Sequence, residues 1–519
     1  MSGKNILPIL FHRKPGILNR PLILFAMMLA NFMAAVEVTI VATAIPTIVS
    51  SLGGFSLFSW VFSAFLLTQG ATIPLYGKLS DLYGRRNVFT FGVALFIIGS
   101  ALCGFAGSMY VLIIFRAIQG IGAGAVLPIS QTIIGDIYKL EERARVQGYL
   151  SSVWGFAAII GPAIGGIIVQ NISWSWIFFI NIPIGLLCIL IIYIYFHEKV
   201  EHLNQSSTKQ AAIGSVNTSP KIKIDFAGSI LLITAISFLL IPLLEAGNTW
   251  AINDLRFLGM IFISLIIFIF FVIAERRAEN PIIPFKLLKS SEILFPNITS
   301  MIVGIATIAI SSVIPMFAQG VFGTSAIVAG FLLASMSIGW PLASSQSGKL
   351  ILKMGFRFTA VSGVIVILTG TLLMLMINQD SNLWKIVLFI FIIGLGLGLS
   401  STASIVAVQH AVPWSKRGVA TSSNSFMRML GSTFGATLIG WLLNYNIRGK
   451  LSASQKNIDI LKILIDPIQR AKYSSTFILQ LRDILSFAVH NIYFYLAIII
   501  LFGIAAAIFI PKEIKEESI

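Results

Sequence analysis

The chain has 519 residues, 57% of them hydrophobic and only 11% charged, with a mean hydropathy of +0.92. Soluble domains carry about 25% charged residues, so this composition excludes a chain that covers itself with water-facing charge and implies lipid as its solvent. The net charge of +16 lies in short clusters between apolar runs, a pattern of membrane topology and headgroup contact rather than of nucleic-acid binding.

Crossing a bilayer takes about 20 mostly apolar residues in a helix. The basic, proline-containing start, Met1 to Arg20, is not read as a cleavable signal, because the run behind it is long enough to span. Runs of that kind lie near residues 22–46, 57–77, 88–107, 111–134, 146–169 and 174–196. A polar stretch, 197–223, reads as a solvated linker. Further runs lie near 226–244, 256–274, 295–318, 327–347, 358–377, 384–409, 418–443 and 491–510, which predicts about fourteen spans. Cys103 and Cys188 sit inside apolar runs without a CxxC pair or a metal-ligand set, as small core residues.

Lys and Arg set the orientation. They cluster before the first span (Arg13, Lys14, Arg20) and after the second (Lys78, Arg85, Arg86), fourth (Lys139, Arg143, Arg145), tenth (Lys349, Lys353, Arg357) and twelfth (Lys416, Arg417), whereas loops 51–56, 170–173 and 319–326 have none. Both termini are therefore expected in the cytoplasm, and 444–490 outside. That last connection carries seven Lys and Arg residues against the rule. Phe477, Ile478, Leu481, Ile484 and Leu485 recur in it at helical spacing, which predicts a helix lying on the membrane surface.

The segment Gly77-Lys78-Leu79-Ser80-Asp81-Leu82-Tyr83-Gly84-Arg85-Arg86 returns after the tenth span as Gly348-Lys349-Leu350-Ile351-Leu352-Lys353-Met354-Gly355-Phe356-Arg357, with both glycines, the Lys, the first Leu and the last Arg matched. Both copies leave the membrane on the same side, so the repeat is parallel. Eight spans separate them, which fits two six-span halves with two extra spans between.

The first copy resembles the loop signature of the major facilitator superfamily, G-x-L-[AS]-D-[RK]-x-G-R-[RK], with Leu82 where a basic residue is common. The span count resembles that superfamily's drug:proton antiporter branch, the EmrB/QacA type. The resemblance implies an all-α integral membrane protein of the major facilitator fold. Its expected parts are an N-terminal six-helix bundle (1–196), a cytoplasmic linker (197–223), two extra central spans (224–274), the first five spans of a C-terminal bundle (275–443), an extracellular loop (444–490), and a last span with a cytoplasmic tail (491–519).

In the loop signature, glycines let helix ends pack closely, and Asp81 can pair with Arg85 or face a helix N-terminus. Gly77, Asp81, Gly84, Arg85 and Arg86 are thus a candidate conformational latch. In the fifth span, Gly155, Gly161, Pro162, Gly165 and Gly166 permit close helix contact and a bend. They resemble the antiporter motif of the superfamily's exporters, with Ala157 in place of a glycine. In the fourth span, Arg116, Gly120 and Gly124 share one helix face. A lipid-facing arginine at depth is costly, and Arg116-Ala-Ile-Gln119-Gly120 resembles the R-x-x-Q-G motif associated there with proton coupling.

Glu37 stands in Glu37-Val-Thr39-Ile40-Val41, where the family usually has Asp in D-x-T-I-V. At 1.5 Å per residue, Glu37 and Arg116 lie roughly 13 and 9 Å below the same membrane face. The two are therefore expected to approach one another and to exchange partners during a transport cycle.

Polar residues inside spans, Gln69, Gln119, Gln131, Gln319, Gln346, Asn424 and Arg428, are candidate cavity lining, and each also fits a plain helix–helix hydrogen bond. Asp136 reads as a helix-end partner. The implied function is proton-driven export of small amphiphilic or cationic organic compounds from the cell by alternating access, with no cofactor and no metal. There is no Walker-type phosphate loop for ATP. Import or facilitated diffusion on the same fold, or a membrane-embedded enzyme or receptor, stay open on the residues alone. Substrate identity and oligomeric state leave no signature.

Overall fold

A computed structural model describes residues 19–53, 57–198, 225–245, 253–278, 281, 289–379, 381–450, 460–465 and 467–513. Nearly all of the expected linker, most of the basic N-terminal segment and the end of the tail lie outside these residues.

The chain forms α1 (Arg20–Leu52), α2 (Phe58–Tyr83), α3 (Arg85–Gly104), α4 (Met109–Ile137), α5 (Leu140–Asn171), α6 (Trp176–Phe179), α7 (Asn181–Tyr195), α8 (Phe226–Glu245) and α9 (Leu255–Arg277). It continues with α10 (Ser291–Gly320), α11 (Ala326–Met374), α12 (Leu383–His410), α13 (Arg417–Lys450), α14 (Ile460–Ile465), α15 (Pro467–Arg470) and α16 (Ser475–Ile508). In lipid every backbone polar group needs an internal partner, which favours uninterrupted helices. Their starts are written in short polar side chains: Asn19 accepts from the Leu22 amide, Ser108 from Val111, Asn382 from Trp384 and Ser474 from Phe477.

Among the described residues ten helices are long and apolar enough to cross a membrane, so the expected count of fourteen is not reached by that measure. Two expected spans are merged in α11, which bends at Gly355. The apolar part of α8 is short, Ala227–Leu243. The helices α2 and α5, each long enough, fall outside the ten; both carry charges in their sequences.

The expected surface helix is corrected. Phe477 to Leu485 belong to α16, one continuous helix of 34 residues, and Ile478, Leu481 and Leu485 are buried in the same core as the last span. The apolar spacing marks packing against α10 and α14. Likewise α13 runs past residue 443 to Lys450, so both expected limits of the 444–490 connection fall within helices.

The buried apolar residues separate along the chain. One cluster draws on 293–510, and two draw on 23–196. The loop repeat is a repeat of conformation too. Gly84 and Gly355 adopt φ of 88° and 84°, a region that favours glycine. A Cβ on Gly84 would meet the carboxylate of Glu198, just past α7, and one on Gly355 the carbonyl of Lys512, just past α16. Each half therefore folds the chain behind its last helix against the same glycine of its own loop.

The halves meet where α5 packs on α11 and where α2 and α4 pack on α13. The meeting residues lie toward the end of the molecule that carries the two loops, called the loop end below. Gly148 and Gly155 abut Ser345 and Ser337, and Gly77 abuts Gly418 and Ser422. In addition, α8 packs on both α2 and α13, with Leu240 against Gly70 and the Thr437 hydroxyl donating to the Leu243 carbonyl at 2.6 Å.

Candidate functional site

Within the first half, α1 and α4 bring Glu37 and Arg116 together. Both are buried (0% and 1% exposed), with Arg116 Nη1 2.5 Å from Glu37 Oε1. The other carboxylate oxygen accepts from Asn181 Nδ2 at 2.6 Å, and Asn181 also donates to Ser100 Oγ at 2.9 Å. Arg116 donates further to the Val61 carbonyl (3.0 Å) and to Gln119 Oε1 (2.7 Å), and its guanidinium lies 4.2 Å from the centre of the Phe65 ring. A charge pair taken out of water is tolerable only with such additional bonds. Chemically, this is a carboxylate whose partner cation is fixed from two other directions, so the carboxylate can lose that partner without the arginine becoming bare.

A second cluster joins the halves at the loop end. Asp81 pairs with Arg85 at 2.8 Å and accepts from the Gly418 and Val419 amides, both at 2.9 Å. The two arrangements expected for Asp81, an arginine pair and a helix N-terminus, thus coexist. Arg85 and Arg417 share Asp136, at 3.1 and 2.7 Å. Arg85 also donates to the Trp414 carbonyl at 2.6 Å and stacks on its ring at 3.9 Å. Arg86 turns away, 5.1 Å from the Tyr193 ring. The Glu198 carboxylate accepts from the Arg85 backbone amide. Burial pushes the Glu198 carboxyl above its ordinary 4.5, opposed by the bond from that amide and by the Arg85 charge.

The fifth-span glycines divide. A Cβ on Gly161 or Gly165 would overlap the hydroxyl of Thr39 or Thr43, so these two hold α5 against α1, and Thr39 stands two residues from Glu37. Gly155 faces Ser337 across the two halves, and Gly166 faces open space. The side chain of Pro162 lies outside the described part.

The candidate lining residues scatter. Gln131 is in the seam, its carbonyl accepting from Gln409 Nε2 at 2.9 Å and its Oε1 from Ser425 Oγ at 3.1 Å. Asn424 bonds Asn297 and Ser300 on α10. Gln119 belongs to the Arg116 site, Gln319 bonds back to Pro315 of its own helix, and Gln346 is exposed. Gln69 and Arg428 are half-buried.

A family model described as Major Facilitator Superfamily matches residues 27–436. The chain belongs to the major facilitator superfamily. Multidrug resistance protein 3 of Bacillus subtilis (strain 168) is 37% identical over 430 residues, covering 83% of this chain and 81% of its own length. Multidrug transporter protein MdtP of the same organism is 34% identical over 425 residues, covering 82% and 75%. In fold, this major facilitator chain is similar to the human organic anion transporter MFSD10 (TETRAN), with a TM-score of 0.60 at 11% identity, over 92% of this chain and 99% of that one.

Several residues of these clusters carry little signal in the sequence. Asn181, which holds Glu37, was visible as an amide within an apolar run of this major facilitator chain. Arg417 carries a topology signal in the sequence, and nothing local there marks it as the opening residue of α13. The contact of Glu198 with Arg85 spans 113 residues and carries no local signal.

Proposed function

We propose that the protein is a proton-coupled exporter of small organic compounds, of the fourteen-span drug:proton antiporter branch, working by alternating access in the cell membrane. The observation that carries this reading is the buried Glu37 carboxylate held by Arg116 and Asn181. Proton uptake by Glu37 neutralises the acid and weakens its hold on Arg116, which keeps its bonds to Val61 and Gln119. Through Thr39, two residues on, α1 is tied to α5, whose Gly148 and Gly155 lie against the second half. A change of charge at Glu37 thus has a short packed route to the seam.

Span counting supports the branch when the two parts of α11 are taken separately and α2, α5 and α8 are added to the ten apolar helices. Lys and Arg placement supports a cytoplasmic loop end and cytoplasmic termini. On that orientation the Asp81–Arg85–Asp136–Arg417 cluster joins the halves on the cytoplasmic side. The relatives named as multidrug proteins support small organic compounds as the cargo.

Dye efflux from energised cells tests the reading, with wild type beside Glu37→Gln and with or without a protonophore. Gradient-dependent efflux that is lost in the variant at equal membrane protein is expected. Efflux indifferent to the protonophore would mean facilitated diffusion instead.

A further inference from the structure

The guanidinium of Arg428 makes no hydrogen bond, ion pair or ring contact with any described residue. It lies about 16 Å along α13 from Arg417, at 1.5 Å per residue, in a hydrocarbon layer about 30 Å thick. That is mid-membrane depth, where an unbalanced charge is expensive and faces the bundle interior or a water-filled path.

Its surroundings fix the direction. Asn424 and Ser425, one turn earlier on the same side of α13, are bonded to α10 and α4 respectively. Arg428 therefore stands on the strip of α13 between its own half and the other, one turn beyond the last seam hydrogen bond, Ser425 to Gln131. Of the close approaches of the halves, Gly77 to Gly418, Gly148 to Ser345 and Gln131 to Gln409 lie from there toward the loop end, while Gly155 to Ser337 and Gly70 to Met429 flank it. Arg428 thus stands between those two flanks, past the last hydrogen bond between α4 and α13. Glu37 and Arg116 neutralise each other, and no described carboxylate pairs with Arg428.

From this geometry we infer that Arg428 anchors an anionic group of the transported compound, so that the path takes amphiphilic organic anions. This rests on the seam being the transport path, as proposed above, and it replaces the sequence-based preference for cations. A guanidinium offers a planar fork of donors matched to a carboxylate or sulfonate.

The test uses two xanthene dyes of opposite charge, fluorescein (anionic) and rhodamine 6G (cationic), binding to the full chain in nanodiscs. Wild type is expected to bind fluorescein. Arg428→Gln is expected to lose about thirtyfold in that affinity, as when one partner of a desolvated charge pair is removed, and Arg428→Lys to retain most of it. Unchanged unfolding of Arg428→Gln shows that the loss is local. No fluorescein binding by wild type, or equal binding by wild type and Arg428→Gln, overturns the inference. Charge-selective binding that depends on Arg428, without gradient-driven efflux of fluorescein, leaves this assignment standing and removes proton-coupled export.

Discussion

The carboxylate of Asp81 in one half accepts a 2.9 Å hydrogen bond from the backbone amide of Gly418 in the other. With the Val419 amide beside it, Asp81 occupies the N-terminus of α13, where peptide dipoles favour an anion. Asp81→Asn keeps the shape and removes the charge. Spin labels at Tyr83 and Ser415, exposed positions on the two halves, are expected to report a longer distance population in the variant, with the closed state disfavoured by about 1–2 kcal/mol. An unchanged distance distribution would mean that Asp81 does not latch the halves.

The Glu37–Arg116 pair is expected to behave as a unit. Removing either partner leaves a buried charge uncompensated and costs about 3–5 kcal/mol. Combining Arg116→Met with Glu37→Gln removes both charges, and the double variant is expected to lose less than the sum of the singles. Reversible unfolding in mixed micelles measures the cycle; strict additivity would show that the two side chains do not share their stabilisation.

At Gly161 the clash is specific. A methyl group there overlaps the Thr39 hydroxyl, while the Thr39 Cβ lies 3.0 Å away. Gly161→Ala is expected to cost about 1–3 kcal/mol, in the range of overpacking, and Thr39→Ala in the same chain to restore most of it. Thermal unfolding checks the rescue, and dye efflux shows whether the α1–α5 contact is needed for transport.

Glu198 gives a pH signature. Its carboxyl is raised by burial, so its contribution to stability is fully present below its ordinary 4.5 and is lost as pH rises through the raised folded value. Glu198→Gln removes this titration and still offers an oxygen to the Arg85 amide. Unfolding midpoints of wild type and variant in detergent between pH 4 and 7.5 are expected to diverge in the variant's favour as pH rises; parallel curves would refute the assignment.

What the sequence made legible follows from range and chemistry. The apolar runs announce helices because lipid tolerates little else, and Glu37 and Arg116 announce themselves because charge at that depth needs a reason. Gly84 and Gly355 stand as a matched pair in the repeated loop, and they share a backbone conformation that favours glycine. The cluster around Asp81 is half legible: Asp81 and Arg85 lie four residues apart, but Gly418 and Arg417 are more than 300 residues away. The misread surface helix in 475–485 had true helical spacing. Periodicity shows that a face is apolar and says nothing of whether lipid or protein covers it, and in α16 the cover is α10 and α14.

The placement of α8 makes the molecule one-sided. Of the two flanks along which the halves meet, the one between α2 and α13 has α8, from between the halves, packed on both helices, and at the one between α5 and α11 the helix packed on both is α12 of the second half itself. A compound dissolved in the bilayer would find the first flank stoppered by Leu240, against Gly70 and Met429. On the alternating-access reading proposed above, the helix that covers this flank must ride with both halves as they rock.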